Sequence, residues 1–515
     1  MLAWTIYVSF LAAAVLLLLP KNSARLARMI ALIAATASLL IVLETLATHH
    51  SGELISVAHV LWIPSLGIAY HLASDGISMV LLLLTGIVAV AGILFSWNIE
   101  HRTREFFAFY LALIGGVYGV FLSFDLFLLF VFYEIAIIPK YFLIAIWGST
   151  RKEYGAMKLA LYSFVGSAMV LIGIVAAYVV AGSRTTSLEE LARFPFPVHF
   201  QMWAFPLVFV GFAILAGLWP FHTWAPTGHV AAPTGASMLL AGVVMKLGAY
   251  GCLRVAMMLF PLGMDPWGFH ILFLNSWRDV FALLAVIGIV YGAMVALVQE
   301  DFKFVIGYSS VSHMGFVLLG LMTLNRIGLD GAILQMFSHG VIGGLLFAVV
   351  GRMVYDRTHT RDLAALEKLH LSKVIPFAAV TFVIASMASI GLPGFSGFVA
   401  ELQILIGAWR AFPTAALLAG IGLAVGFAYT WRVMQKAFFG SSALAGDSAL
   451  AGDSVLAAPA GHTPPLPITL PERAGAILLL GASLAVGLYP QMLLNLIIPA
   501  LNSPLFEGLR KASWQ

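Results

Sequence analysis

Charge is what this chain has least of. Asp, Glu, Lys and Arg make up 10% of its 515 residues, while 61% are hydrophobic and the mean hydropathy is +1.00. A soluble domain carries about 25% charged residues and must cover its surface with polar groups. The scarcity excludes that class and leaves a lipid bilayer as the solvent. The net charge of +4 is too small and too scattered for a nucleic-acid binder. Cysteine is nearly absent. Cys252 stands alone inside an apolar run, which excludes a disulfide framework and a thiolate metal cluster. The chain shows no CxxC, no haem-ligand pair, no P-loop and no GxGxxG feeding a Rossmann unit. No metal-ligating or cofactor-binding residues are expected in it, and energy for any transport must come from partners.

What is present is a succession of apolar runs of the length that crosses hydrocarbon, about 20 residues each. Roughly 14 are readable between the charges. They cover 2–20, 29–47, 75–97, 106–123, 125–148, 156–181, 203–225, 232–260, 279–299, 304–323, 328–351, 374–406, 413–436 and 472–500. Lipid offers no partner to free backbone groups, so every span must be a helix. The fold class is an all-α polytopic membrane protein. The first run lacks a basic n-region and a cleavage site, so it reads as a retained span rather than a signal peptide. Basic residues cluster after spans one, three, five, eleven and thirteen, at Lys21, Arg25, Arg28, Arg102, Arg104, Arg151, Lys152, Arg352, Arg357, Arg361, Lys368, Lys373, Arg432 and Lys436. Those loops share one face, which the positive-inside rule makes cytoplasmic, with both termini outside. The Ala-, Gly-, Ser- and Pro-rich stretch 441–467 reads as a flexible cytoplasmic loop, not a second domain.

Two spans carry breaks. Span seven contains Gly217 and Pro220; span twelve contains Gly391-Leu392-Pro393-Gly394 and Gly397. Proline removes a donor and clashes with the preceding turn. Paired interruptions in corresponding segments point to an inverted-repeat transporter. The breaks lie five spans apart, which sets the expected five-helix repeats at 106–260 and 279–436. No clear sequence identity joins the two halves.

A charge at mid-bilayer costs a few kcal/mol even on the gentler scales, so one that persists is a functional candidate. Glu134 sits in Phe127–Trp147 between Leu-Leu-Phe-Val-Phe-Tyr and Ile-Ala-Ile-Ile. Its bland alternative is a neutralised carboxyl that locks packing. Lys140 follows six residues on, about 120° away around an ideal helix, with Pro139 bending the chain between them. It either faces Glu134 or snorkels to the interface. Lys246 is flanked only by apolar and small residues, which makes snorkelling harder. His313 and His339 lie on neighbouring spans, and Glu401 follows the second break. A lone membrane histidine is often just a helix-to-helix hydrogen bond. Two on neighbouring spans, between Lys246 and Glu401 in sequence, favour a relay, since imidazole passes a proton on either nitrogen. His222 and His229, near the end of span seven, are accessory candidates read as interfacial. Asp301 and Lys303 are further accessory candidates.

These residues resemble the antiporter-like membrane subunits of respiratory complex I, and among them the M type. The likeness runs from Leu72-Ala-Ser-Asp-Gly-Ile-Ser78 to Phe438-Phe-Gly440. It is carried by Phe132-Tyr-Glu-Ile-Ala-Ile-Ile-Pro139, Pro220-Phe-His-Thr-Trp224, His229-Val-Ala-Ala-Pro-Thr234, Leu240–Tyr250 and Asp301-Phe-Lys-Phe-Val-Ile-Gly-Tyr-Ser-Ser-Val-Ser-His-Met-Gly315. Gly391-Leu-Pro-Gly-Phe-Ser-Gly-Phe-Val-Ala-Glu401 matches the family's second broken helix, and glutamate at its last position marks M rather than L or N. One departure stands out. The family's helix-seven lysine would fall on Leu215, while Lys140 stands where the family usually has an apolar residue. Either Lys140 takes over as the partner of Glu134, or this input channel is altered.

The resemblance implies a proton-translocating subunit of an NADH-quinone oxidoreductase in a bacterial inner membrane. Its neighbours would be L- and N-like subunits, and the flavin, iron–sulfur clusters and quinone would belong to partner subunits. The rivals are a subunit of a multisubunit cation/proton antiporter or membrane-bound hydrogenase with the same fold, and a free-standing solute transporter. The last would need a polar midplane cavity rather than ionisable groups spread along the chain. A purely structural anchor gives no reason to retain several costly charges.

Overall fold

The computed structural model describes residues 1–21, 23–49, 52–266, 274–440 and 466–513. The apolar runs become α1 Ala3–Leu18, α2 Ala24–Thr48, α3 Gly76–Phe95, α4 Thr103–Leu122, α5 Leu126–Trp147, α6 Lys152–Val180 and α7 Val198–Ala231. They continue as α8 Thr234–Met257, α9 Trp277–Val298, α10 Phe302–Met322, α11 Arg326–Thr358, α12 in two halves (Pro376–Ser389 and Ser396–Ala411), α13 Pro413–Phe439 and α14 Leu470–Leu488. Among the described residues, 12 of these helices are long and apolar enough to cross a membrane; α1 and the first half of α12 are shorter apolar helices. The last run, expected to reach residue 500, stops at Leu488. Tyr489 leaves the helical region (φ −133°, ψ 70°) because Pro490 follows it, and a separate helix, Gln491–Asn502, then bends by 59° into Pro504–Lys511. Residues 441–465 of the expected loop lie outside the described residues.

Hydropathy did not reveal one element. An antiparallel hairpin, β1 Ile55–Ile63 and β2 Ile68–Ser74, stands between α2 and α3. It marks one end of the bundle, called here the hairpin end; the arginine-rich loops mark the other. At the hairpin end, Asp75 caps α3 by accepting from the Ser78 amide at 2.9 Å. The same carboxylate takes two bonds from Arg254 Nη2 of α8, at 2.7 and 2.6 Å. The guanidinium lies against the rings of Phe124, Tyr250 and Phe506, 5.2–5.4 Å from their centroids.

A helix apolar on all sides belongs in the interior. The membrane-length windows of α8 and α11 are 100% buried, whereas those of α2, α13 and α14 are 33% buried and form the rim. The two central helices cross at glycines. A Cβ on Gly340 would lie 2.6 Å from the Gly242 carbonyl. This close approach, one turn before Lys246 and one residue after His339, brings those two side chains face to face.

Both expected breaks are present and are built alike. Gly217 ends the first half of α7 at φ 88°, and Gly391 ends that of α12 at φ 77°. The amides of Leu218 and Gly217 bond the carbonyls of Ala213 and Ile214, at 3.0 and 3.2 Å; those of Leu392 and Gly391 bond Met387 and Ala388, at 3.0 and 3.4 Å. Each is a Schellman cap, which needs a left-handed residue just past the helix. Pro220 and Pro393 prevent immediate resumption. A second correspondence lies at the helix starts. Asp125 caps α5 through the amides of Phe127 and Leu128, and its strand-like bridge to Ser187 leads into the short helix Leu188–Arg193. Asp301 caps α10 through Lys303 and Phe304, and its bridge to Asp362 leads into Leu363–Glu367. The first arrangement is at the hairpin end and the second at the basic end.

Candidate functional site

The structure joins four of the sequence candidates into one line about halfway along the helices. Lys246, His339, His313 and Glu401 come from α8, α11, α10 and the second half of α12, and all are at most 7% exposed. Lys246 Nζ lies 2.8 Å from His339 Nδ1 and also donates to the Ala241 carbonyl one turn back. Among the described residues no carboxylate pairs with this lysine. The Lys–His bond runs in either sense: an ammonium donates to a bare Nδ1, or an Nδ1–H donates to a neutral amine. That ambiguity is what a proton-transfer pair requires. The His339 and His313 rings follow at 5.7 Å, stacked at 24°. His313 Nδ1 then meets Glu401 Oε1 at 3.1 Å.

Two residues absent from the sequence candidates complete the line. Gln335, one turn before His339, donates to Glu401 Oε1 at 3.1 Å. Ser389, the last residue of the first half of α12, sits 3.1 Å from His313 Nε2. A third omission is Asp330, buried near the hairpin end of α11. Its Oδ1 has no partner among the described residues, and Arg326 Nε is 3.9 Å from Oδ2. A charge inside span eleven could have flagged Asp330. Gln335 and Ser389 are residue types too common in membrane helices to stand out.

Glu134 and Lys140 lie apart from this line. The chain is interrupted at Ala136, because Pro139 has no N–H to bond the Ile135 carbonyl. Glu134 Oε1 is buried without a partner among the described residues, and the Ser167 hydroxyl of α6 donates to the Phe164 carbonyl at 3.2 Å. Lys140 is 2% exposed, so it does not snorkel to solvent within this chain. Among the described residues no ion pair within 4.0 Å joins it to Glu134. Leu215 is buried where α7 packs closely on α8: a Cβ on Gly248 would be 3.0 Å from the Leu215 carbonyl carbon.

The accessory candidates divide. His222 and His229 are buried within the chain, at 2% and 0% exposure. The break at Gly217 turns the second half of α7 into the bundle, where His229 stacks on Phe347 at 4.6 Å. All four of their ring nitrogens lack partners among the described residues. Asp301 is a helix cap, with Arg361 Nε at 3.3 Å. Lys303 is buried and donates to the Ala232 carbonyl at 2.6 Å, holding the turn between α7 and α8.

Two Schellman-broken helices and a buried file of ionisable groups define a class: a polytopic membrane subunit of the antiporter-like kind. The profile described as NADH:quinone oxidoreductase/Mrp antiporter, TM, matches residues 123–426, and the chain belongs to that family. The NADH-quinone oxidoreductase subunit M of Rhodobacter capsulatus is 36% identical over 453 residues, covering 85% of this chain and 82% of that protein. A chain of respiratory complex I from Thermus thermophilus superposes with a TM-score of 0.85 at 28% identity, over 99% of both chains. A chain of the Mrp complex from Dietzia shares the fold, with a TM-score of 0.84 at 24% identity over 100% of this chain and 99% of that one. The M-type resemblance read from the motifs agrees with these relatives.

Proposed function

We propose that this chain is a proton-translocating membrane subunit of an NADH-quinone oxidoreductase, driven by quinone reduction in partner subunits. The observation that carries the reading is the buried run from Lys246 through His339 and His313 to Glu401. Four ionisable groups on four helices would be costly without a shared task. Lys246 holds the proton, the histidines relay it, and Glu401 passes it on beyond the helix break. Glu134, with Lys140 nearby, forms a separate group in the first half. The segments 106–260 and 279–436 act as inverted repeats, a reading supported by the matching caps at Gly217 and Gly391 and at Asp125 and Asp301. L- and N-like subunits flank the chain in the membrane arm. Flavin, iron–sulfur clusters and quinone reside in other subunits, and this chain contributes no redox group. The protein sits in a bacterial inner membrane with both termini outside.

The test is Lys246→Ala in the assembled complex, reconstituted in vesicles. Proton pumping coupled to quinone reduction should fall strongly. Wild-type pumping by an assembled mutant would overturn the reading.

A further inference from the structure

His313 uses both of its ring nitrogens, and only one belongs to the line just described. Nδ1 faces Glu401. Nε2 faces the Ser389 hydroxyl, which lines a small cavity between α10, the first half of α12, and α13. Half of the residues on its wall bear hydroxyls, Ser309, Ser386, Ser389, Tyr429 and Thr430; the other half are apolar. Ser309 and Tyr429 bond each other at 2.7 Å. The space open to the centre of a water molecule is about 10 Å³, about what one buried water needs in a polar site. Toward the basic end the wall is Phe382, whose ring packs on Phe438 at 5.0 Å and on Phe302 at 5.1 Å. Phe302 begins α10 and Phe438 lies in the last turn of α13. An aromatic layer therefore stands between the cavity and the basic-loop face.

Packing alone does not account for this concentration of hydroxyls. Buried polar groups are costly unless bonded, and an apolar lining would serve a structural seam better. A hydroxyl both donates and accepts, so such a wall supports water and lets a proton pass without a net charge residing on it.

We propose that this cavity holds a water that exchanges a proton with His313 through the Ser389 hydroxyl, as a branch on the line from Lys246 to Glu401. The inference rests on the proton-translocation reading above. A proton entering the cavity binds His313 Nε2 by way of the Ser389 hydroxyl, and the proton on Nδ1 leaves to Glu401 Oε1. One proton arrives and one departs, so the imidazole returns to neutrality in the opposite tautomer. Once Glu401 has passed its proton on, rotation of the ring resets the starting tautomer. Ser389 and Tyr429 position the water and the ring; His313 is the group that carries the proton.

The experiment compares Ser389→Ala, Tyr429→Phe, Ser389→Thr and Lys246→Ala in the assembled complex in vesicles. Protons pumped per quinone reduced are measured in H2O and D2O. Ser389→Ala and Tyr429→Phe should pump several-fold less, with a larger solvent isotope effect, while Ser389→Thr, which keeps the hydroxyl, should stay close to wild type. If both hydroxyl deletions pump normally while Lys246→Ala does not, the branch is wrong and the functional reading stands. If Ser389→Thr fails as badly as Ser389→Ala, the residue is structural and the branch is again wrong. If Lys246→Ala also pumps normally, the functional reading falls and takes the branch with it. Should Tyr429→Phe fail to assemble, the Ser389 pair decides the matter alone.

Discussion

Glu401 accepts from Gln335 and meets His313 through the same oxygen, Oε1. Glu401→Gln keeps the shape and a carbonyl acceptor but cannot release a proton. The mutant complex should assemble with all its subunits and pump poorly; loss of assembly would make Glu401 a packing residue. Lys140 invites a bolder pair of substitutions. It is buried near Glu134 without touching it, and water is well suited to span such a gap. Lys140→Met should lower pumping, and adding Leu215→Lys should recover part of it by supplying a cation from α7. A double mutant no better than the single would show that Lys140 does not substitute for a helix-seven lysine. Residues of this kind were legible in the sequence because charges are rare here and each one costs energy. Gln335 and Ser389 were not, because an uncharged polar residue in a membrane helix is common and its partner depends on helix rotation, which hydropathy does not encode.

At the scale of the element, the spans were legible because lipid demands length and apolarity together. The breaks were legible because Gly and Pro are the residues a helix cannot absorb. The β1–β2 hairpin was missed because strands of 9 and 7 residues fall short of the about 20 apolar residues that mark a span. The buried seats of His222 and His229 were missed because a broken helix changes direction and a linear reading does not. The break in α12 also supports the site directly. A Cβ on Gly391 would meet Glu401 Oε2 at 3.0 Å, and the backbone there is left-handed. Gly391→Ala should cost about 1–2 kcal/mol from the backbone conformation and displace the carboxylate as well. Heat denaturation of the purified complex should come at a lower temperature, and pumping should fall. Wild-type values of both would mean that the cap tolerates a side chain.

For the molecule as a whole, the Asp75–Arg254 pair joins the start of α3 to α8 and, through Phe506, to the last helices of the chain. Removing one member of a buried pair costs about 3–5 kcal/mol, because the other charge stays behind. Arg254→Leu should therefore destabilise the assembled complex in a thermal assay. Asp75→Asn with Arg254→Leu should recover most of the loss; a double mutant as unstable as the single would show that the aromatic packing of the guanidinium, not its charge, matters. The stacked histidines have a different kind of consequence. Two rings inclined at 24° with centroids 5.7 Å apart present faces to each other, and ring N–H groups point along the plane, not out of it. No hydrogen bond crosses that step in this arrangement. Lys246–His339 and His313–Glu401 are thus two plates of a capacitor rather than one length of wire. Charge placed on one plate is felt on the other, by about 3 kcal/mol for an effective dielectric constant of about 20, before any proton crosses. On the relay proposed above, a proton crosses only when a ring turns or a water enters, so the file would hold charge between transfers instead of leaking it.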